Sequence, residues 1–295
     1  MIMVAKISKW VLWGALVAFI SVGLIGCNVL ARYHGFGASE MRPEALSARL
    51  KPAYRSYSPQ GNGPWPTALL FSGCDGPKDN MERWAKELTA EGYAVLIVDS
   101  HGPRGYDDAQ LWRIVCIGQL MPGPERAGDV AVAVEDARAM DFVDPNRIVL
   151  IGASHGGWSV LDMLSLHGQG KPPHNLTRWP ESIRKNGLEG IVGMVLLYPY
   201  CGGASQVYSH GWRDDVPGLF LLVEDDSIVN EDSCIGVIER MKEAGRPVEA
   251  HLFKGTTHGF DQADKNALSN LEFSPEATRE AAEIMLRFLG KVTKR

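Results

Sequence analysis

Ser154 stands within Gly152-Ala153-Ser154-His155-Gly156-Gly157, between the apolar run Arg147 to Ile151 and a stretch from Trp158 to Leu166 that reads as helix. A serine hydroxyl is a poor nucleophile at neutral pH, and it needs a base to take its proton and an acid to hold that base in one tautomer. A G-x-S-x-G turn between strand and helix would place the hydroxyl for that work. Its glycines let two backbones pass closely, and the serine at the apex is strained with Oγ exposed. Partners for Ser154 come from two later loops. Leu219 to Glu224 runs into Asp225-Asp226-Ser227-Ile228-Val229, and Val248 to Phe253 runs into Lys254-Gly255-Thr256-Thr257-His258-Gly259-Phe260. Of the eight histidines, only His258 follows the last core strand, which makes it the expected base. The acid is expected from the trio Glu224, Asp225 and Asp226.

Positioning these loops requires a sheet. From Thr67 onward, short apolar runs alternate with helical patterns, the signature of βαβ units on a mostly parallel sheet. Strands are expected at Thr67 to Phe71, Ala94 to Asp99, Arg147 to Ile151, Gly193 to Tyr198, Leu219 to Glu224 and Val248 to Phe253. A further strand is expected at Ala53 to Ser58. The runs are nearly continuous in Val, Leu and Ile, as when helices cover both faces. Helices are expected at about Asn80 to Glu91, Glu125 to Phe142, Gly157 to Leu166, Glu231 to Ala244 and Pro275 to Leu289. Residues 168–190 show no clear period and read either as an insertion at the mouth of the site or as a long connection.

In an open parallel sheet, ligands bind at the loops leaving the carboxyl ends of the strands. After the first core strand comes Ser72-Gly73-Cys74-Asp75-Gly76, a small-residue turn whose amide at Cys74 can face a developing oxyanion. The amide of His155, next to the nucleophile, is the expected second donor.

These segments together resemble the dienelactone hydrolase family of α/β-hydrolases, from Thr67 to the C terminus. Leu70-Phe71-Ser72-Gly73-Cys74-Asp75-Gly76 resembles the family's oxyanion turn. Asp99-Ser100-His101-Gly102-Pro103-Arg104-Gly105 resembles a segment of its extracytoplasmic branch. The elbow at Ser154 and the pairing of an acid loop at Asp226 with His258-Gly259-Phe260 complete the likeness. The resemblance favours Asp226 over its two neighbours as the acid. It implies an α/β-hydrolase fold, a Ser154, His258 and Asp226 triad cleaving an ester or lactone, and no metal or organic cofactor. It also implies that Arg104 holds a substrate carboxylate; the alternative is an arginine that ties down its own loop. The name-giving members use a Cys nucleophile with an acidic residue in the oxyanion turn. This chain has Ser154 and Gly73, and Val223 replaces the usual Gly ahead of the acid.

A chain of 295 residues with 45% hydrophobic content suits one large domain. The net charge of −5 and the scattered lysines and arginines disfavour a nucleic-acid partner. No clustered Cys and His spacing points to a metal. At the N terminus Lys6 and Lys9 precede an uncharged run, Trp10 to Gly26, which ends at Leu24-Ile25-Gly26-Cys27. As helix that run reaches about 25 Å, short of a ~30 Å hydrocarbon core, so it reads as a signal peptide. Its end resembles the bacterial lipoprotein lipobox, which implies a lipid anchor on Cys27 and a place in the cell envelope, facing the periplasm or the exterior. An uncleaved helix with an incidental cysteine is the alternative. The expected division is a signal at residues 1–26, a tether at 27–52 with one short helix near Pro43 to Leu50, and the hydrolase domain at 53–295. Four cysteines remain, Cys74, Cys116, Cys201 and Cys234, and sequence leaves all three pairings open. If the strand reading holds, Cys201 and Cys234 follow neighbouring strands and are expected to pair.

Overall fold

The computed structural model describes residues 9–265 and 269–294; Lys6 of the expected signal lies outside the described residues. Strands β1 (Arg55–Tyr57), β2 (Trp65–Phe71), β3 (Ala94–Val98), β4 (Val143–Ala153), β5 (Ile191–Leu197), β6 (Gly218–Val223) and β7 (Val248–Phe253) form one sheet in the order β1-β3-β2-β4-β5-β6-β7. β1 runs antiparallel to β3 at one edge, and the other pairings are parallel. This is the expected α/β architecture. β4 begins ahead of the expected Arg147, since Val143 already pairs with Trp65 before a register shift.

The helices are α1 (Lys9–Tyr33), α2 (Pro43–Leu50), α3 (Asp79–Ala90), α4 (Asp108–Gln110), α5 (Gly123–Arg138), α6 (His155–Gly168), α7 (Glu181–Asn186), α8 (Gln206–His210), α9 (Glu231–Glu243) and α10 (Pro275–Val292). α4 continues into a π-helical turn at Leu111–Val115. Successive strand residues face opposite sides of the sheet. Leu69, Phe71, Leu150 and Leu196 therefore pack with residues of α2, α5, α6 and α9. Ala68, Leu70, Val149 and Ile151 pack with α3 and α10. Both faces are covered, which explains the continuous apolar runs.

Two stretches depart from the sequence reading, and residues 168–190 take the second of their two expected forms, a long connection. α1 continues through Cys27 to Tyr33, past the expected end of the apolar run. Half of the expected tether is not one: Leu46 and Leu50, one turn apart on α2, are fully buried in the core. Burying a leucine contributes about 1.5–3 kcal/mol, so α2 belongs to the folded body. Residues 168–190 line no part of the cleft described below. They hold α2 against α5 instead: Met41 N donates to Asn175 O (2.8 Å), Asn175 Nδ2 to Asp129 (3.2 Å), and Arg178 pairs with Glu44.

The register aligns the carboxyl ends of the central strands. Phe71 pairs with Gly152, Ala153 with Leu197, and Val223 with Phe253. The loops after β2, β4, β6 and β7 thereby converge at one end of the sheet.

Candidate active site

Ser154 occupies the single residue between β4 and α6, with φ 51° and ψ −114°. L-residues rarely adopt a positive φ, and such strain persists only where surrounding contacts fix it. Here Ser154 N donates to Leu197 O (2.8 Å), and Trp158 N donates to Ser154 O (3.0 Å). The glycines are dictated by space. A Cβ on Gly152 would lie 2.5 Å from Gly157 N, and one on Gly156 would lie 2.1 Å from Phe71 O. Any larger residue at either position would push strand and helix apart.

The two late loops deliver the expected partners. Ser154 Oγ lies 2.8 Å from His258 Nε2, and His258 Nδ1 lies 2.7 Å from Asp226 Oδ2. The other oxygen of Asp226 accepts from Ile228 N (2.9 Å) and Val229 N (3.1 Å), which fixes the carboxylate. The rest of the acidic trio points elsewhere. Glu224 pairs with Lys254 (2.8 Å), and Asp225 is exposed at φ 55°, its amide donating to Glu231 (2.7 Å). The imidazole of His258 packs against the Tyr198 ring, centroids 4.6 Å apart. The Tyr198 hydroxyl donates to Asp261, as does Trp84 Nε1 (2.6 Å), so a buried network stands behind the histidine. Burial holds the Asp261 carboxyl above its ordinary value.

The turn after β2 lies against the serine: a Cβ on Gly73 would come 3.9 Å from Ser154 Cβ. Cys74 lines the cavity beside Ser154 and His155. The amide of His155 heads α6, where no intrahelical carbonyl can accept from it. Beneath both amides sits a residue that the sequence reading missed. Arg126 of α5 is fully buried; its Nη1 donates to Ser72 O (2.8 Å) and His155 Nδ1 (2.9 Å), and its Nε to Ser100 Oγ (3.1 Å). Burial pushes Arg126 down to about 10, with Asp129 opposing, so it is charged at neutral pH. Burial, then the Arg126 charge, holds the His155 imidazole well below its ordinary value and therefore neutral. The signal that could have found Arg126 is the charge of Glu125, Arg126 and Asp129 within a helix otherwise rich in Ala and Val.

Arg104 is not brought to the site. Its guanidinium makes a bidentate pair with the fully buried Asp129 (2.8 and 2.9 Å) and also donates to Ser100 O (2.5 Å). It lines no part of the cavity. The alternative reading holds: Arg104 ties down its own loop, and the expected carboxylate clamp is corrected. The cavity over Ser154 has a volume of about 330 Å³. Its walls include Val29, Trp112, Ile117, Trp158, Tyr200 and Leu271. Cys201 and Cys234 are bonded as expected, and a second disulfide joins Cys74 to Cys116, clamping the oxyanion turn to the loop that carries Trp112 and Ile117. Cys27 is free and exposed. Among the described residues no cluster of His, Cys, Asp or Glu is arranged to hold a metal.

Comparison with known proteins divides this chain in two. Residues 80–169, with the serine, match the Prolyl oligopeptidase family, and residues 186–293, with Asp226 and His258, match the Dienelactone hydrolase family. The fold is that of the α/β-hydrolases. A putative carboxymethylenebutenolidase of Aquifex aeolicus is 20% identical over 235 residues, covering 78% of this chain and 89% of the relative. The acylamino-acid-releasing enzyme of Arabidopsis thaliana is 26% identical over 219 residues, covering 65% of this chain. The chain spans only 27% of the length of that enzyme. Among solved structures, a dienelactone hydrolase-like promiscuous phosphotriesterase from metagenomic libraries matches with a TM-score of 0.62 at 16% identity, covering 81% of this chain and 92% of that one. At that identity the likeness speaks for the fold alone. The segment with Ser154 thus matches the peptidase family, and the segment with Asp226 and His258 matches the hydrolase family.

Proposed function

We propose that the chain is a serine hydrolase that cleaves a carboxylic ester or lactone through an acyl-enzyme. The observation that carries this reading is the unbroken path from Asp226 through His258 to Ser154, at 2.7 and 2.8 Å, under a cavity with apolar walls. Ser154 Oγ attacks the ester carbonyl while His258 Nε2 takes its proton. The tetrahedral oxyanion is met by the amides of Cys74 and His155, each such donor contributing about 3 kcal/mol to the transition state. Collapse breaks the ester C–O bond, and His258 returns the proton to the leaving alcohol. Water, activated by the same base, then releases the acid. Asp226 keeps Nδ1 protonated and stabilises the imidazolium.

The match of residues 80–169 to the prolyl oligopeptidase family supports a second reading, a peptidase using the same triad. Labelling with a fluorophosphonate tests the common chemistry. The full-length protein should be labelled on Ser154 and Ser154→Ala should not; absence of label on the folded wild type removes both readings. Parallel assays with short esters and N-acylated peptides then choose between them. We further propose that residues 1–26 act as the export signal and that Cys27 carries the lipid, in keeping with the apolar helix at the N terminus. Mass analysis of the mature protein decides this: an acylated Cys27 is expected, and an unmodified N-terminal helix overturns it.

A further inference from the structure

The end of α1 also reaches the cleft from outside the sheet. Upstream of Ile25 this helix is exposed and apolar. From Ile25 on it docks. Gln119 Nε2 donates to Ile25 O (3.4 Å), and Asn28 Nδ2 donates to Gln119 O (3.1 Å) and Oε1 (2.9 Å). Arg32 pairs with Glu125, their side chains only 13% and 9% exposed. His174 Nδ1 donates to Arg32 O (3.1 Å), and Gln206 Nε2 to Tyr33 O (2.9 Å). Val29, between these contacts, is itself part of the cavity wall.

We infer that α1 fixes the mouth of the cleft at the membrane surface, and that the substrate is an ester with an apolar acyl chain drawn from the bilayer; this rests on the ester-hydrolase reading above. Ahead of its docked end, Lys9 to Leu24 of the helix reach about 24 Å at ~1.5 Å per residue, short of a full ~30 Å hydrocarbon core but long enough to bury in it up to the point where the folded body begins. If instead the chain is anchored through a lipid on Cys27, the anchor lies about 3 Å along the helix axis from Val29. Either anchor brings the same edge of the cavity to the bilayer. That edge is apolar. Trp112 and Ile117 line the cavity yet are 37% and 51% exposed, and a tryptophan beside an aliphatic residue suits the lipid-water interface. A water-borne polar substrate gains nothing from such a rim. An acyl chain leaving the bilayer would cross it without being hydrated.

The test uses full-length protein in phosphatidylcholine vesicles with two esters of one chromophore: 4-nitrophenyl acetate, which is water-soluble, and 4-nitrophenyl palmitate, which resides in the bilayer. At fixed bulk palmitate, added phosphatidylcholine should lower the palmitate rate in proportion to the ester's surface fraction and leave the acetate rate unchanged. Arg32→Glu sets two carboxylates against each other and frees the mouth from the anchor. It should reduce palmitate hydrolysis by about tenfold, as effective concentration at the surface is lost, with acetate hydrolysis within about twofold of wild type. Cleavage of acetate without palmitate, or a palmitate rate indifferent to surface dilution, overturns the inference and leaves the hydrolase reading standing. Equal rates for Arg32→Glu and wild type on palmitate also overturn it. If the substitution unfolds the protein, surface dilution of the wild type decides alone. Failure of the wild type on both esters overturns the hydrolase reading and this inference with it.

Discussion

The two rims of the cleft are built by different means. One is made of the loops after β6 and β7, where Asp226 and His258 stand within a few residues of their strands and meet across the gap at 2.7 Å. The other combines the turn after β2, the loop bearing Trp112 and Ile117, and the end of α1. It is held by Arg126, the Arg104 pair with Asp129, and the disulfide from Cys74 to Cys116. The first rim carries side chains that would move protons. The second presents backbone amides, so its precision must come from whatever grips that backbone. The largest consequence lies where the rims meet: Ser154→Ala should lower ester turnover by on the order of 10⁴-fold or more, measured as kcat against a short-chain ester. Residual turnover near wild type would show that the serine does no chemistry.

The next test stays on the acid and base rim. Asp226→Asn should cost about 10⁴-fold in kcat, since an amide no longer fixes the reactive tautomer of His258. Asp225→Asn and Glu224→Gln should change kcat by less than about twofold, because their carboxylates face solvent or Lys254. A larger loss with Asp225→Asn than with Asp226→Asn would reassign the acid.

Across the cleft the expected effect is smaller and of a different kind. Arg126 touches no reacting atom in the proposed chemistry; it grips the Ser72 carbonyl and the His155 imidazole, next to the two amides proposed to meet the oxyanion. Arg126→Met should lower kcat by about 10- to 100-fold with KM little changed, short of the ~10²–10³ that loss of a whole donor costs. Arg126→Lys should recover part of the rate, since an ammonium can reach one partner but cannot reproduce the fork. A loss confined to thermal stability, with kcat intact, would reduce Arg126 to packing.

This difference between the rims also separates what was legible in the sequence from what was not. A strand announces itself by a run of five or six apolar residues, and the residue that follows it is at the carboxyl end wherever the strand lies in the sheet. Ser154 and His258 were therefore readable from their neighbours, whereas Asp226 stood out from its acidic trio only through the family resemblance, and the pairing of Cys201 with Cys234 only through the strand reading. Arg104 and Arg126 were not readable. Each lies beside residues of the cleft in the chain or in space, and only the partner tells them apart. Asp129 claims one guanidinium, while the backbone of the oxyanion turn claims the other. Long-range pairings of this sort leave no local period. The docking of α2 and of the end of α1 escaped for the same reason: a polar, glycine-containing stretch reads as a tether until Leu46, Leu50 and Arg32 are seen against α5.

Removing the Arg104 fork sharpens that contrast. Arg104→Ala leaves Asp129 buried without its main counter-charge, which should destabilise the fold by roughly 3–5 kcal/mol in a denaturant titration. Esters with and without a free carboxylate should lose rate equally. Selective loss of the carboxylate-bearing esters would return Arg104 to a binding role.

The smallest expected effect is a pH dependence of stability on the oxyanion side. Asp162 of α6 is fully buried, and its Oδ1 accepts from Ser205 Oγ (2.5 Å) and Val207 N (3.3 Å) at the start of α8. Burial pushes its carboxyl up to about 7, above the ordinary aspartate value. A folded-state value above the unfolded one means that the folded protein keeps a proton which the unfolded chain has already shed. Stability should therefore fall as pH rises from about 4 to about 7, and level off above that. Asp162→Asn does not titrate. Its Tm relative to wild type should rise between about pH 4.5 and about pH 8. A constant Tm difference for Asp162→Asn across that range would mean that the buried carboxyl is ionised in the folded state, with its hydrogen bonds outweighing burial.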